Sequence, residues 1–199
     1  MNHYLKLKLF ETANRVLRHS VQALKSKSLP LWKTISGIFL KLDDQKWIED
    51  LYTRGIASVY TEISVTFRIP YLNWCYKKKG RSMARKLFQN IKDLQPGQPE
   101  LFLYMISLEK SCNRLKNDVY INKLYFELCT KFGSHRMDIW YHAIKYNHEE
   151  NNENDVARLC TTADSILPQH LKDELKDKLK IIARKPPLKI KVASPTILI

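Results

Sequence analysis

The stretch Tyr71–Pro96, YLNWCYKKKGRSMARKLFQNIKDLQP, decides the fold. Tyr71, Trp74 and Cys75 are spaced three and four apart, so a helix carries them on one face. Lys77, Lys78 and Lys79 follow at its C-terminal end, where cations suit the helix dipole. Gly80 is the residue type that tolerates a left-handed turn. Ala84, Leu87, Phe88 and Ile91 then share the face of a second helix, which Pro96 stops. Two helices this short cannot bury their apolar faces on each other alone. They need further copies stacked beside them.

Copies are present. Matching second-helix positions fall at Ile48, Ala84, Ile121 and Ala157, in steps of 36, 37 and 36 residues. The chain there reads IEDLYTRGI, ARKLFQNIK, INKLYFELC and ARLCTTADS. First helices centre on Trp32, Trp74, Phe102 and Trp140, with Pro30, Pro96, Pro99 and Gly133 just ahead of three of them. Core-facing positions of these pairs include Trp32, Leu51, Tyr52, Trp74, Ala84, Leu87, Phe88, Phe102, Leu108, Leu124, Tyr125, Trp140 and Ala157. The expected fold is all-α: an α-solenoid of antiparallel helix pairs, each packing only on its neighbours.

The flanks extend this scheme. Residues 1–28 are read as an N-terminal helix, amphipathic from Leu5 to Leu24, with Ala13, Val16, Leu17, Val21 and Leu24 on its apolar side. It is either a plain cap or the second helix of a repeat. A terminal cap shows a polar outer face and this helix does not, which favours the repeat. On the repeat reading, Met1 starts a fragment or a divergent short gene product, and the array is expected to have originally continued upstream. Residues 29–170 hold about four pairs, the first being Leu31–Leu42 with Lys46–Val59. Asp43 and Asp44 open its second helix at the positive dipole end. Residues 60–68 are rich in β-branched types and read as extended, with Pro70 in the first turn of the next helix. Residues 110–118 read as a polar connector and 147–155 as a solvated, Asn-rich loop. Residues 171–185 form a capping helix through Leu171, Leu175, Leu179 and Ile182. Residues 186–199 form a tail, either disordered or able to add a strand to a partner's sheet.

Composition agrees with a helical core. The chain has 199 residues, 44% of them hydrophobic, and five Gly. No apolar run approaches the roughly 18 residues of a membrane span. Residues 1–10 alternate Lys with Leu and do not build a secretory signal. Cys75, Cys112, Cys129 and Cys160 lie far apart without a C-x-x-C pair, so they read as small buried apolar residues. The six histidines form no zinc motif, and His142 and His148 read as surface or rim residues.

Net charge is +14, unevenly placed. Residues 67–100 carry eight basic and two acidic side chains; residues 136–167 carry three and six. The densest block is Lys77, Lys78, Lys79, Arg81, Arg85 and Lys86. It suits a phosphate backbone or an acidic partner, or it is a solvated helix end that keeps the protein soluble. KKKGR also fits a short nuclear-localisation pattern. Trp32, Trp74, Tyr125 and Trp140 sit at core-facing spacing and read as packing residues rather than base-stacking platforms. No P-loop, G-x-G-x-x-G or G-x-S-x-G occurs. Adjacent acids such as Asp43-Asp44 and Glu149-Glu150 point about 100° apart on a helix and do not converge on a substrate. No catalytic, cofactor or metal residues are assigned, and a non-enzymatic protein is expected.

The paired pattern resembles the HAT (half-a-TPR) repeat. Phe102, Met105, Leu108 and Glu109 match its first helix. Ala84-Arg85 with Leu87-Phe88, Leu51-Tyr52 with Arg54-Gly55, Leu124-Tyr125 and Ala157-Arg158 match its second. Phe39 and Asn147 stand where the motif has Glu, and Glu49 and Asn122 where it has Arg. Through YLNWCYKKKG, ARKLFQ, LFLYMISLEK, LYFELCTKFGS and DIWYHA, residues 71–146 resemble the C-terminal part of the U3 small nucleolar RNA-associated protein 6 family, within a looser likeness over 12–170. The resemblance implies a right-handed superhelical scaffold without a cofactor. It also implies a nucleolar setting within the small-subunit processome, in maturation of small-subunit (18S) ribosomal RNA. The implied partners are other processome subunits, including β-propeller proteins, and the U3 small nucleolar RNA–pre-ribosomal RNA assembly. HAT repeats also occur in splicing and mRNA 3′-end processing machines, which keeps a second setting open, and direct RNA binding through residues 77–86 is a third reading.

Overall fold

The structure is a computed structural model that describes residues 10–112 and 119–183. Helices supply all of its regular structure; no strand occurs among the described residues. They run α1 (Phe10–Leu24), a 3-10 turn (Lys25–Ser28), α2 (Leu29–Leu42), α3 (Gln45–Ile56), α4 (Thr61–Lys79), α5 (Arg81–Ile91), α6 (Pro99–Cys112), α7 (Val119–Phe132), a short 3-10 turn (Gly133–His135), α8 (Met137–Glu149), α9 (Glu153–Ile166) and α10 (Gln169–Ala183). The chain divides into two compact units, Met1–Met105 and Ile106–Ile199.

In the first unit α2 packs on α3, α3 on α4 and α4 on α5. Asp44 caps α3 by accepting a hydrogen bond from the Trp47 backbone N–H at 3.2 Å, and Asp43 takes a positive φ of 53° at the end of α2. Gly80, at φ 84°, is the single residue between α4 and α5 and forces their reversal. The core threads aromatic rings between helices. Trp32 and Tyr52 each meet Phe67 at 5.8 and 5.9 Å, and Tyr52 stacks on Tyr71 at 5.4 Å. Phe88 meets Phe102 edge-on at 5.1 Å. Gly55 is small for a reason: a Cβ there would press on the Phe67 ring at 3.0 Å.

In the second unit α8 is the centre, with α7, α9 and α10 all packed on it. Trp140 of α8 is fully buried, and its indole N–H donates to the Gly133 carbonyl at 2.9 Å. Asn147 is also buried and donates to the Ala143 carbonyl at 3.0 Å. Asn152 caps α9, and Asp155 accepts from both Asn152 and Asn122, at 2.6 and 3.1 Å.

Several expectations need correction. Residues 61–69 are helical, not extended, and Pro70 lies inside α4. Ile63, Phe67, Tyr71 and Trp74 recur every three to four residues and are all buried, and that burial outweighs β-branched propensity. Pro70 is exposed and, lacking an N–H, cannot make the ladder bond that another residue there would make. Because α4 starts early, Trp74 is not the counterpart of Trp32. Trp32 stands sixteen residues before Ile48; the residue sixteen before Ala84 is Arg68.

Ala157 is exposed and is not a packing position. In α3 the inward residues are Ile48, Leu51, Tyr52 and Gly55. The same +3, +4, +7 steps run from Ala84 and Ile121, and in α9 they start at Val156, reaching Leu159, Cys160 and Ala163. Leu159 and Ala163 are buried there, Val156 and Cys160 half-buried. Leu24 is exposed, whereas Leu17 of the same helix is fully buried. Leu87 and Leu108 are half-buried. Residues 147–149 and 153–155 are helical, leaving only 150–152 as loop. α6 continues to Cys112; the rest of the connector, residues 113–118, and the tail 186–199 lie outside the described residues.

Candidate interaction surface

The basic block sits where α4 ends and α5 begins. Lys77, Lys78, Lys79 and Lys86 are exposed, Arg81 and Arg85 half-buried. The block is partly neutralised by the preceding helix pair. Lys78 pairs with Asp43 at 2.7 Å, and Lys79 pairs with Glu49. The Lys79 ammonium also lies 5.4 Å from the Trp74 ring centroid. Its hydrogen bond to Glu49 holds the Lys79 pKa above the ordinary lysine value. Lys77 and Lys86 have no acidic partner among the described residues.

Beside the block α2, α3, α4 and α6 line a pocket of about 410 Å³. Its lining is largely apolar, with Leu40, Tyr52, Ile69, Pro70, Trp74 and Tyr104. Asn73, Lys77 and Lys78 stand at its polar edge. The early start of α4 makes this site: it brings Ile69 and Pro70 to the same helix as the lysines. Such a pocket has room for an apolar side chain, and its basic edge suits acidic neighbours. Among the described residues no group of three His, Cys, Asp or Glu can hold a metal, and no helix is long and apolar enough to cross a membrane.

The other candidate residues are placed as follows. Trp32, Trp74, Tyr125 and Trp140 are buried, so their faces are unavailable to bases. Leu51, Tyr52, Ala84, Phe88, Phe102 and Leu124 are buried too. Trp47 is half-buried, 6.3 Å from the Phe39 ring. His142 is exposed and His148 half-buried.

Two features escaped the sequence reading. Arg68 is fully buried in the first unit. Its guanidinium donates to the carbonyls of Leu94 at 3.1 Å, Gln95 at 2.9 Å and Pro96 at 2.7 Å, and to the Ser64 hydroxyl at 3.3 Å. Burial lowers its pKa from the ordinary arginine value. The available signal was a cation on an apolar face, sixteen residues ahead of Ala84. In the second unit Lys110 reaches the Tyr125 hydroxyl at 2.9 Å and lies 4.3 Å from the Tyr146 ring centroid. Burial pulls its pKa down, against Glu149 and Glu150, which raise it. Helical spacing does not show that pairing, because the three residues come from three helices.

No family model matches the chain. It is similar to the mouse U3 small nucleolar RNA-associated protein 6 homolog, 29% identical over 117 residues, covering 59% of this chain and 19% of that protein. It is similar to the human U3 small nucleolar RNA-associated protein 6 homolog as well, 30% identical over 127 residues, covering 62% of this chain and 20% of that protein. The chain thus matches about a fifth of the length of these curated relatives.

Proposed function

The chain belongs to the U3 small nucleolar RNA-associated protein 6 family, and from that premise we propose that it is a non-enzymatic helical-repeat scaffold of ribosome biogenesis. It acts with the U3 small nucleolar ribonucleoprotein in the nucleolus, during assembly of the small-subunit processome and maturation of small-subunit ribosomal RNA. The observation that carries this reading is the sequence similarity to both relatives, whose names specify U3 association. The inward positions repeating at +3, +4 and +7 in α3, α5, α7 and α9 support a repeat array. We read that array as a right-handed α-solenoid: α1 as a half repeat, four helix pairs over 29–170, and α10 as its cap.

Partners are then held by surface rather than transformed. The 410 Å³ pocket favours protein docking over RNA. Its lining is largely hydrocarbon and aromatic, and Asp43 and Glu49 already occupy two of the neighbouring lysines. Processome subunits, β-propeller proteins among them, are the proposed partners. Purification of the tagged chain from cells tests the assignment. Recovery of processome subunits and U3 RNA is expected; recovery of splicing or 3′-end cleavage factors without them overturns it. If RNA were bound through the block, changing Lys77, Lys78, Lys79 and Arg81 together to Ser would abolish a steeply salt-dependent affinity. On the docking reading, that change leaves RNA recovery dependent on protein partners.

A further inference from the structure

A second, smaller pocket of about 300 Å³ lies in the first unit, an open depression bordered by α1, α2, the end of α3 and residues 58–60. Its wall is mostly hydrocarbon, from Leu17, Val21, Trp32 and Val59, and Arg18 and Arg54 stand in it together. Val59 is 88% exposed, an apolar side chain held in water beside a cavity.

The charge there does not balance. Arg54 pairs with Asp50 at 2.6 Å. Arg18 has no acidic partner among the described residues, and the nine residues before them contain no Asp or Glu. One carboxylate thus faces two guanidinium groups. Burial lowers the Arg54 pKa, Asp50 raises it, and the repulsion of Arg18 lowers it again. The Trp32 indole N–H, in the same wall, is buried and has no hydrogen-bond acceptor. A buried donor left unpaired is unfavourable, and an acceptor brought to it would relieve that. Two cations, one counter-ion and an unused donor make a site that is short of one anionic oxygen group.

We propose that this pocket docks a partner protein's peptide segment in which an acidic side chain sits beside an apolar one. The carboxylate meets Arg18 and Arg54, and the apolar neighbour covers Val21 and Val59. A protein segment suits the site better than a nucleic-acid backbone, because a phosphodiester would leave the hydrocarbon wall wet. The proposal is independent of the scaffold assignment and of the pocket beside Lys77.

Titration of the ¹⁵N-labelled full chain tests it, with a leucine–glutamate pentapeptide, LELEL, blocked at both ends, as probe. The Trp32 indole and Arg54 Nε–H resonances are followed. They are expected to shift with the glutamate peptide, and about tenfold more weakly with its glutamine analogue, as loss of one charge-assisted hydrogen bond implies. Arg18→Glu lies on an exposed position and is expected to weaken binding at least as much with helix content unchanged; Val59→Ser is expected to weaken it too. No shift with the glutamate peptide, equal binding of both peptides by the unaltered chain, or undiminished binding by Arg18→Glu overturns the proposal. An oligouridylate that moves these resonances when the peptide does not makes the site a phosphate site, and overturns it as well.

Discussion

Replacing Arg68 by Met removes the guanidinium while keeping an unbranched stem of similar length. In the structure that group makes three charge-assisted bonds to the carbonyls of residues 94–96, at 2.7–3.1 Å. Each such bond is worth about 1.5–3 kcal/mol. Against them stands the desolvation of a fully buried cation, several kcal/mol after relaxation. Met escapes that penalty, and residues 94–96 are exposed, so their carbonyls can turn to water. What Met cannot do is hold the segment between α5 and α6. The expected net loss is about 2–3 kcal/mol, or a fall of about 1 M in the urea midpoint at a slope of about 2 kcal/mol/M. Tryptophan fluorescence during urea unfolding reads the midpoint, since Trp32 and Trp74 lie in the same unit. Tryptic cleavage after Lys92 should accelerate in the native state. Arg68→Lys, with one ammonium in place of a planar fork, should recover less than half of the loss. A Met variant with an unchanged midpoint and unchanged cleavage would refute the idea that this arginine organises the junction.

Further expectations follow from the same packing. Leu159→Ala should cost about 2–4 kcal/mol, whereas Ala157→Asp, on an exposed position, should stay within about 0.5 kcal/mol; thermal melts reversing that order would refute the α9 register. Gly133→Ala would set a Cβ against the Trp140 indole, and urea unfolding should show a loss of about 1–3 kcal/mol. Arg136 holds the Asp138 carboxyl below its ordinary value of 3.8. A carboxyl with a lowered folded-state pKa adds stability above 3.8 that is lost as the pH falls through the folded value. Asp138→Asn should therefore cost a little at neutral pH and nothing in strong acid. The pair is two-fifths to half exposed, so the effect stays below about 1 kcal/mol; a difference growing toward low pH would contradict the pairing. Burial raises the thiol pKa of Cys129 far above its ordinary value. Brief alkylation near neutral pH, read by peptide mass spectrometry, should mark half-buried Cys160 before Cys129.

Much of the fold was legible one residue at a time. Positions that recur at +3, +4 and +7 identify the inward faces of α3, α5 and α7 without reference to any other helix, because 3.6 residues per turn is a local property. Asp44 at the start of α3 and Gly80 between α4 and α5 are equally local: one supplies a hydrogen-bond acceptor, the other a backbone without a Cβ penalty. The lysine block was visible as composition. Its pairing with Asp43 and Glu49 was not, since those partners lie 30 or more residues away and belong to the preceding pair.

Tertiary contact decided the rest. β-branched residues and an internal proline argue against a helix over 61–70, and only the burial of Ile63 and Phe67 against neighbouring helices overrules them. The choice between Val156 and Ala157 turns on a single residue of register, which a repeat step of 36 or 37 cannot resolve and a packed neighbour can. A charged side chain at a core position reads as an error until the carbonyls of residues 94–96 are brought to Arg68. The apolar sides of α3, α5 and α7 could be read along the chain alone, because they depend on neighbours within two turns. Where helices begin, which ion pairs form and which pockets open depend on groups far apart in the chain, and those meet only when the helices pack.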